Sequence, residues 1–299
     1  MPESFEIDYD DILQKAIAHK PAMIIAWFSA YPKSIHWEKF AEIAKEVERV
    51  HGYKPLLMAD IAHIAWLIAW WAIESPFPYF DIITTTTHKT LRGPRGALIY
   101  YRKDERDLEK KINRGVFPWL QWWPHEHVIY AKAIAFNEVL QPAFKDYAKN
   151  VIENAKLLAS ELVNLWWPVL TGTTENHIVL LDVTNMVVTE DQKQITVVAK
   201  WLQNNSDTGL TWKIAEKVLE YIWISVNKNL LPFDKRTAMD PSGIRLWTPA
   251  ITTRWLWSEE VKHIANIISR ALENRNNPDA LDWLKQEVKE ICGRFPLGY

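Results

Sequence analysis

The chain has 299 residues, with 35 Lys and Arg against 37 Asp and Glu, and 48% of its residues are hydrophobic. That length holds one large or two modest domains with a sizeable core, and a net charge of −2 gives no footprint for nucleic acid or an anionic membrane. Cys292 is the single cysteine, which excludes a disulfide within these residues and suits a reducing cytoplasm. As the only thiol, in a late helix, Cys292 reads as a small core residue rather than a nucleophile.

In chain order, no signal-peptide pattern appears at the acidic start. Ala22 to Trp27 reads as a strand and Trp37 to Val50 as an amphipathic helix. Strands follow at Pro55 to Ala59, Asp81 to Thr86 and Ala97 to Tyr101, and this alternation predicts an α/β fold with a largely parallel sheet. Leu56 to Ile73 is long enough to suggest a membrane span, but Asp60 and His63 interrupt it. Asp104 to Asn113 is expected to be helical. A long helical region from Glu126 to Leu165 should break near Pro142, since proline cannot continue a helix. A strand is expected at His177 to Val183, helices at Thr189 to Leu202 and Lys213 to Tyr221, and strands at Trp223 to Val226 and Gly243 to Leu246. Helices at Ser258 to Glu273 and Pro278 to Cys292 close the chain. These later elements predict a smaller α+β domain, with the boundary near Pro142: residues 1–141 and 142–299.

The run Thr84-Thr85-Thr86-Thr87-His88-Lys89-Thr90-Leu91-Arg92-Gly93-Pro94-Arg95-Gly96 is the most informative stretch. β-Branched threonines favour a strand, which delivers Lys89 to a strand end, where α/β folds place ligand sites. Asp60 stands at the exit of a second buried strand, and a carboxylate there needs a cation or several donors. His63 follows three residues later, about one helical turn away. A lysine, an aspartate and a histidine so placed form the set that pyridoxal phosphate requires. The amine carries the aldehyde as a Schiff base, and the carboxylate keeps the ring nitrogen protonated. A structural ion pair is the alternative. A metal centre at His125, Glu126 and His127 is disfavoured, because residues at i and i+2 do not share a helix face and no zinc spacing follows.

The wording of these segments goes further. Ala59-Asp60-Ile61-Ala62-His63-Ile64-Ala65, the Thr84–Gly96 run, Val226-Asn227-Lys228-Asn229 and Ser242-Gly243-Ile244-Arg245 together resemble serine hydroxymethyltransferase. Phe28-Ser29-Ala30-Tyr31, Phe117-Pro118 and Thr248-Pro249-Ala250-Ile251-Thr252 are similar as well, so the likeness covers essentially the whole chain from Phe5. The resemblance implies a fold-type-I, aspartate aminotransferase-like enzyme: part of a large domain with a mostly parallel sheet, plus a smaller α+β carboxyl-terminal domain. It implies a cytoplasmic homodimer or higher homo-oligomer with pyridoxal phosphate as cofactor and tetrahydrofolate as cosubstrate, interconverting serine and glycine. Lys89 would bind the cofactor covalently, Asp60 would pair with its ring nitrogen and His63 would lie by the ring. Ser29 and Thr86 belong to the cofactor shell, and His88 points toward its phosphate. Arg245 would grip the substrate carboxylate, Asn229 would lie on the folate side, and Arg95 joins the site's shell. Trp122 and Trp123 stand where the family has a glycine pair near the phosphate of the neighbouring subunit's cofactor. Another fold-type-I enzyme, such as a threonine aldolase, is the enzymatic rival; a non-catalytic fragment or interaction module is the other.

Two departures from the family stand out. The chain has 17 Trp and only 9 Gly, where glycine is ordinarily far commoner. Trp27, Trp66, Trp71, Trp119, Trp122, Trp123, Trp212, Trp223, Trp247 and Trp255 occupy family glycine positions, and Trp70, Trp166, Trp167 and Trp257 are further cases. Trp37 reads as a genuine aromatic. The expectation is that one codon the cell reads as glycine has been rendered as tryptophan. The second departure is length. Family members carry a further stretch before Phe5, with the substrate-side glutamate, cofactor-side tyrosines, phosphate cradle and ring-stacking histidine. The resemblance therefore implies the carboxyl-terminal two-thirds of an enzyme, inactive by itself, with Met1 an internal or misassigned start.

Overall fold

The computed structural model describes residues 4–27, 29–183 and 210–297. They fall into two compact units: one comprises Ile7–Ser29 and Ser34–Ala148, the other Met1–Glu6, Ala30–Lys33 and Lys149–Tyr299.

The first unit is α/β. Helix α1 (Tyr9–His19) is opened by the Asp8 side chain, which accepts from the Asp11 N–H. It packs on α2 (Trp37–His51) through Ala16, Ile43 and Val47. Strands β1 (Met23–Trp27), β2 (Leu56–Asp60) and β3 (Ile82–Thr86) run parallel, and β4 (Ala97–Tyr101) returns antiparallel on the edge. The sheet is thus mixed and mostly parallel. The short helix α3 (Ala65–Ala69) follows β2 after a turn, and a second short helix, α4 (Leu108–Arg114), follows β4. Helix α4 starts later than its sequence suggests, because Asp107 adopts a left-handed backbone at φ 52°. Helices α5 (Glu126–Val139) and α6 (Pro142–Asn164) meet at Pro142, as the proline dictates. The division between the two units lies within α6, after Ala148.

In the second unit, β5 (Ile178–Asp182), β7 (Gly243–Trp247) and β6 (Asn227–Asn229) form an antiparallel sheet in that spatial order. Around it stand α7 (Trp212–Tyr221), α8 (Pro249–Thr253), α9 (Ser258–Glu273) and α10 (Pro278–Arg294). Its core joins Leu158, Leu162, Leu181, Leu219, Ile244 and Ile268. Two expectations are corrected. Trp223 to Val226 is not a strand: Trp223 turns the chain at φ 68°, and β6 begins only at Asn227. Cys292 is exposed on α10 instead of packed in the core. The helix expected at Thr189 to Leu202 lies outside the described residues. Among the described residues no helix is long and apolar enough to cross a membrane.

Candidate functional site

Adjacent parallel strands, β2 and β3, place Asp60 and Lys89 at or just past their carboxyl ends. Asp60 ends β2 and pairs in register with Thr84 of β3 and with Trp27 of β1. Its Oδ2 accepts from Thr84 Oγ1 at 3.1 Å and its Oδ1 from the Ala62 N–H at 2.9 Å. Lys89 lies three residues past the end of β3, and its Nζ donates to Thr86 Oγ1 at 3.2 Å. Thr86 Oγ1 in turn donates to the Ala62 carbonyl at 3.5 Å. One peptide residue, Ala62, therefore bonds to both the aspartate and the threonine that holds the lysine. Thr84 joins the candidate site although its sequence pattern marks it only as a strand former; the parallel register is what brings it to the Asp60 carboxylate.

His63 sits on the turn between β2 and α3, closed by the Ala65 N–H on the Ile61 carbonyl at 2.8 Å. It is buried, and its carbonyl accepts from Thr90 Oγ1 at 3.4 Å, which ties the turn to the residue after Lys89.

The loop after Lys89 is fixed by its own backbone. Thr87 Oγ1 donates to the Pro94 carbonyl at 2.6 Å, and the Gly93 N–H donates to the Thr87 carbonyl at 2.8 Å. A Cβ on Gly93 would stand 2.9 Å from that same carbonyl oxygen, so only glycine closes the loop. His88 Nδ1 lies 3.3 Å from the Gly96 carbonyl and 3.4 Å from its N–H, engaging one or the other according to tautomer. Arg95 is exposed and lines an open groove of about 1170 Å³ with Phe117, Gln121, His125, Ile129 and Lys132. Asp60 and Lys89 do not line this groove. Ser29 follows β1 and is half-buried. Trp122 and Trp123 stand exposed ahead of α5, Trp123 with its ring 6.4 Å from that of Phe117.

Arg245 and Asn229 belong to the second unit. Arg245 is central in β7, paired with Leu180 on one side and Asn227 on the other. Its guanidinium lies 4.7 Å over the Trp247 ring, and burial pushes its pKa below the ordinary arginine value. A half-buried guanidinium of this kind gains from an anionic ligand. Asn229 pairs with Gly243, where a Cβ would meet the Asn229 carbonyl at 2.9 Å. The strand contact around both residues depends on that glycine.

Among the described residues, one cluster offers several metal-type ligands close together: His36, Glu38 and Glu74, with atoms within 4.8 Å of one another. Burial, and then the neighbouring Glu38 charge, raise the Glu74 pKa above the ordinary glutamate value.

The family described as serine hydroxymethyltransferase matches residues 2–205 and 200–268. A curated relative, the serine hydroxymethyltransferase of Francisella philomiragia subsp. philomiragia, is 43% identical over 297 residues, 99% of this chain and 64% of that protein. The chain thus spans just under two thirds of that relative's length. With the family matched over most of its residues, the chain belongs to the serine hydroxymethyltransferase family.

Proposed function

We propose that the whole protein is a glycine hydroxymethyltransferase that uses pyridoxal phosphate to interconvert serine plus tetrahydrofolate with glycine plus methylenetetrahydrofolate. The observation that carries this reading is the pair Asp60 and Lys89 at adjacent strand ends, linked through Ala62 and Thr86. An amine and a carboxylate at the ends of neighbouring parallel strands, with a histidine on the turn that follows one of them, are the donor set this cofactor needs, so the residues fit it. When bound, the cofactor supplies an electron sink for a carbanion at the substrate α-carbon.

The chain's own residues do the rest. Lys89 holds the cofactor aldehyde through its amine, with Thr86 orienting Nζ beforehand. Asp60, fixed by the Ala62 N–H and Thr84 Oγ1, keeps a proton on the ring nitrogen. His63 lies by the ring, Ser29 completes the cofactor shell, and His88 turns toward the phosphate. Trp122 and Trp123 mark the segment that faces the neighbouring subunit's cofactor. Arg245 grips the substrate carboxylate with its planar fork, Asn229 serves the folate side, and Arg95 helps neutralise the entrance.

In this reading residues 1–141 are the remainder of a fold-type-I large domain and residues 142–299 the small domain. The protein acts in the cytoplasm as a homodimer or higher homo-oligomer. Support for assembly comes from α5, which carries apolar residues on all sides yet leaves Ile129, Tyr130 and Ile134 exposed.

The test is serine cleavage by the protein isolated from its source, with and without tetrahydrofolate. Folate-dependent turnover that is lost on Lys89→Ala supports the proposal. Serine cleavage at the same rate with and without tetrahydrofolate would instead mark an aldolase.

A further inference from the structure

Four helices among the described residues end in the same backbone device. After α3, the Trp71 N–H donates to the Ile68 carbonyl at 3.0 Å and the Ala72 N–H to the Leu67 carbonyl at 2.9 Å. After α6, Trp166 donates to Val163 and Trp167 to Leu162, both at 2.9 Å. After α7, Trp223 donates to Glu220 at 2.9 Å and Ile224 to Leu219 at 2.8 Å. After α8, Trp255 donates to Thr252 at 3.0 Å and Leu256 to Ile251 at 3.2 Å. Each pair of bonds is a Schellman motif, in which the residue just past the cap must turn left-handed and is usually glycine. Here it is tryptophan every time, at φ 52°, 66°, 68° and 62°.

Chance does not distribute tryptophan this way. It makes up 17 of 299 residues, yet it supplies four of the ten non-glycine residues at positive φ among those described. A bulky L-residue there forces Cβ against the following carbonyl. Packing offsets little of that strain: the four residues are 83%, 44%, 57% and 66% exposed in chain order, and among the described residues Trp223 meets only the Lys285 ammonium at 5.5 Å from its ring, and Trp255 only the Trp257 ring at 6.2 Å. A tryptophan that the fold requires looks different. Trp37 is 1% exposed, sits at a helix start with negative φ space, and donates Nε1 to the Glu74 carbonyl at 3.1 Å.

We infer that the native polypeptide carries glycine at positions 71, 166, 223 and 255, where the cell decodes as glycine a codon here rendered as tryptophan. The inference stops at these four. Trp66, Trp167 and Trp212 are buried with Nε1 bonded to the His63 carbonyl, Ser269 Oγ and Asp240 Oδ1, so their geometry does not carry it. The four helix ends hold whatever reaction the protein performs, so the inference is independent of the proposed function.

Two measurements test it. Mass spectrometry of peptides from the protein purified from its source should find glycine at all four positions and tryptophan at Trp37. Tryptophan at any of the four overturns the inference. Second, the full chain carrying Trp71→Gly, Trp166→Gly, Trp223→Gly and Trp255→Gly should melt higher than the unsubstituted chain, by roughly 5 °C or more. Trp37→Gly should melt lower, as the loss of a buried aromatic ordinarily does. An unchanged or lowered melting temperature in the fourfold variant contradicts the strain on which the inference rests.

Discussion

Arg245 shows how one residue's surroundings set its chemistry. It lies between Leu180 and Asn227 in the antiparallel sheet, with its guanidinium over Trp247 and its charge penalised by burial. A carboxylate meeting the planar fork regains what burial took away, and a lysine would meet it as a single point charge. Arg245→Lys is therefore expected to raise KM for serine by about tenfold or more, the weight of one charge-assisted hydrogen bond. Steady-state kinetics against serine, with tetrahydrofolate saturating, measures it. An unchanged KM would take the carboxylate elsewhere. The placement of Lys89 was legible in the sequence because it is local: three of the four threonines lie in β3, and the lysine stands three residues beyond the strand's end. Cys292 was not legible, since a helical position alone does not say which face it occupies; α10 turns it outward.

At the scale of elements, strands carry different carboxylates at their two ends. Asp60 closes β2 at the carboxyl end of the strands, whereas Asp81 immediately precedes β3 at the opposite end and is buried. Asp81 Oδ2 accepts from the Leu57 N–H at 2.9 Å, and Asp81 Oδ1 accepts from Arg106 Nη2 at 2.6 Å. Arg106 also binds Asp104, in the segment that leads from β4 into α4. Removing Arg106 leaves Asp81 buried without its cationic partner and with the Leu57 N–H as a remaining donor, so Arg106→Ala should cost about 3 kcal/mol in urea unfolding. A loss below about 1 kcal/mol would mean that water takes over the arginine's role.

The Leu231–Ser242 loop leads into β7 and is organised by Asp234. Burial works to raise the Asp234 pKa, but N–H donors from Arg236, Ser242 and Leu231 and the Ser242 hydroxyl hold it below the ordinary aspartate range. A depressed folded pKa adds stability that is fully present above the unfolded value of about 3.9 and lost as pH falls through the folded one. The stability gap between the parent protein and Asp234→Asn should accordingly be widest near neutral pH and close as pH drops below about 4. Unfolding midpoints from pH 3 to 7 check this, and a gap constant with pH would contradict it. Sequence periodicity found most elements, because burial patterns are local. It misplaced β6, since the apolar Trp223-Ile224 pair looks like strand but serves as the exit of α7. It could not find the Arg106–Asp81 pair, which joins residues 25 apart along the chain.

For the whole molecule, composition set the class and fold set the site. Near-neutral charge and a single thiol argued against nucleic-acid binding and disulfide scaffolds, while the alternation of strands and helices announced a mostly parallel sheet. The antiparallel β4 was not announced, because a strand's direction depends on its partner and not on its own pattern. Tryptophan at four helix ends is the point where sequence and fold disagree most, and glycine would reconcile them. The account rests above all on Lys89 as the residue that holds pyridoxal phosphate. Borohydride reduction of the protein purified from its source with its cofactor, followed by peptide mapping, tests that directly. The phosphopyridoxyl label is expected on Lys89 alone, within the Thr84–Gly96 segment. Label on a different lysine, or no covalent label in protein that retains the cofactor, would contradict it.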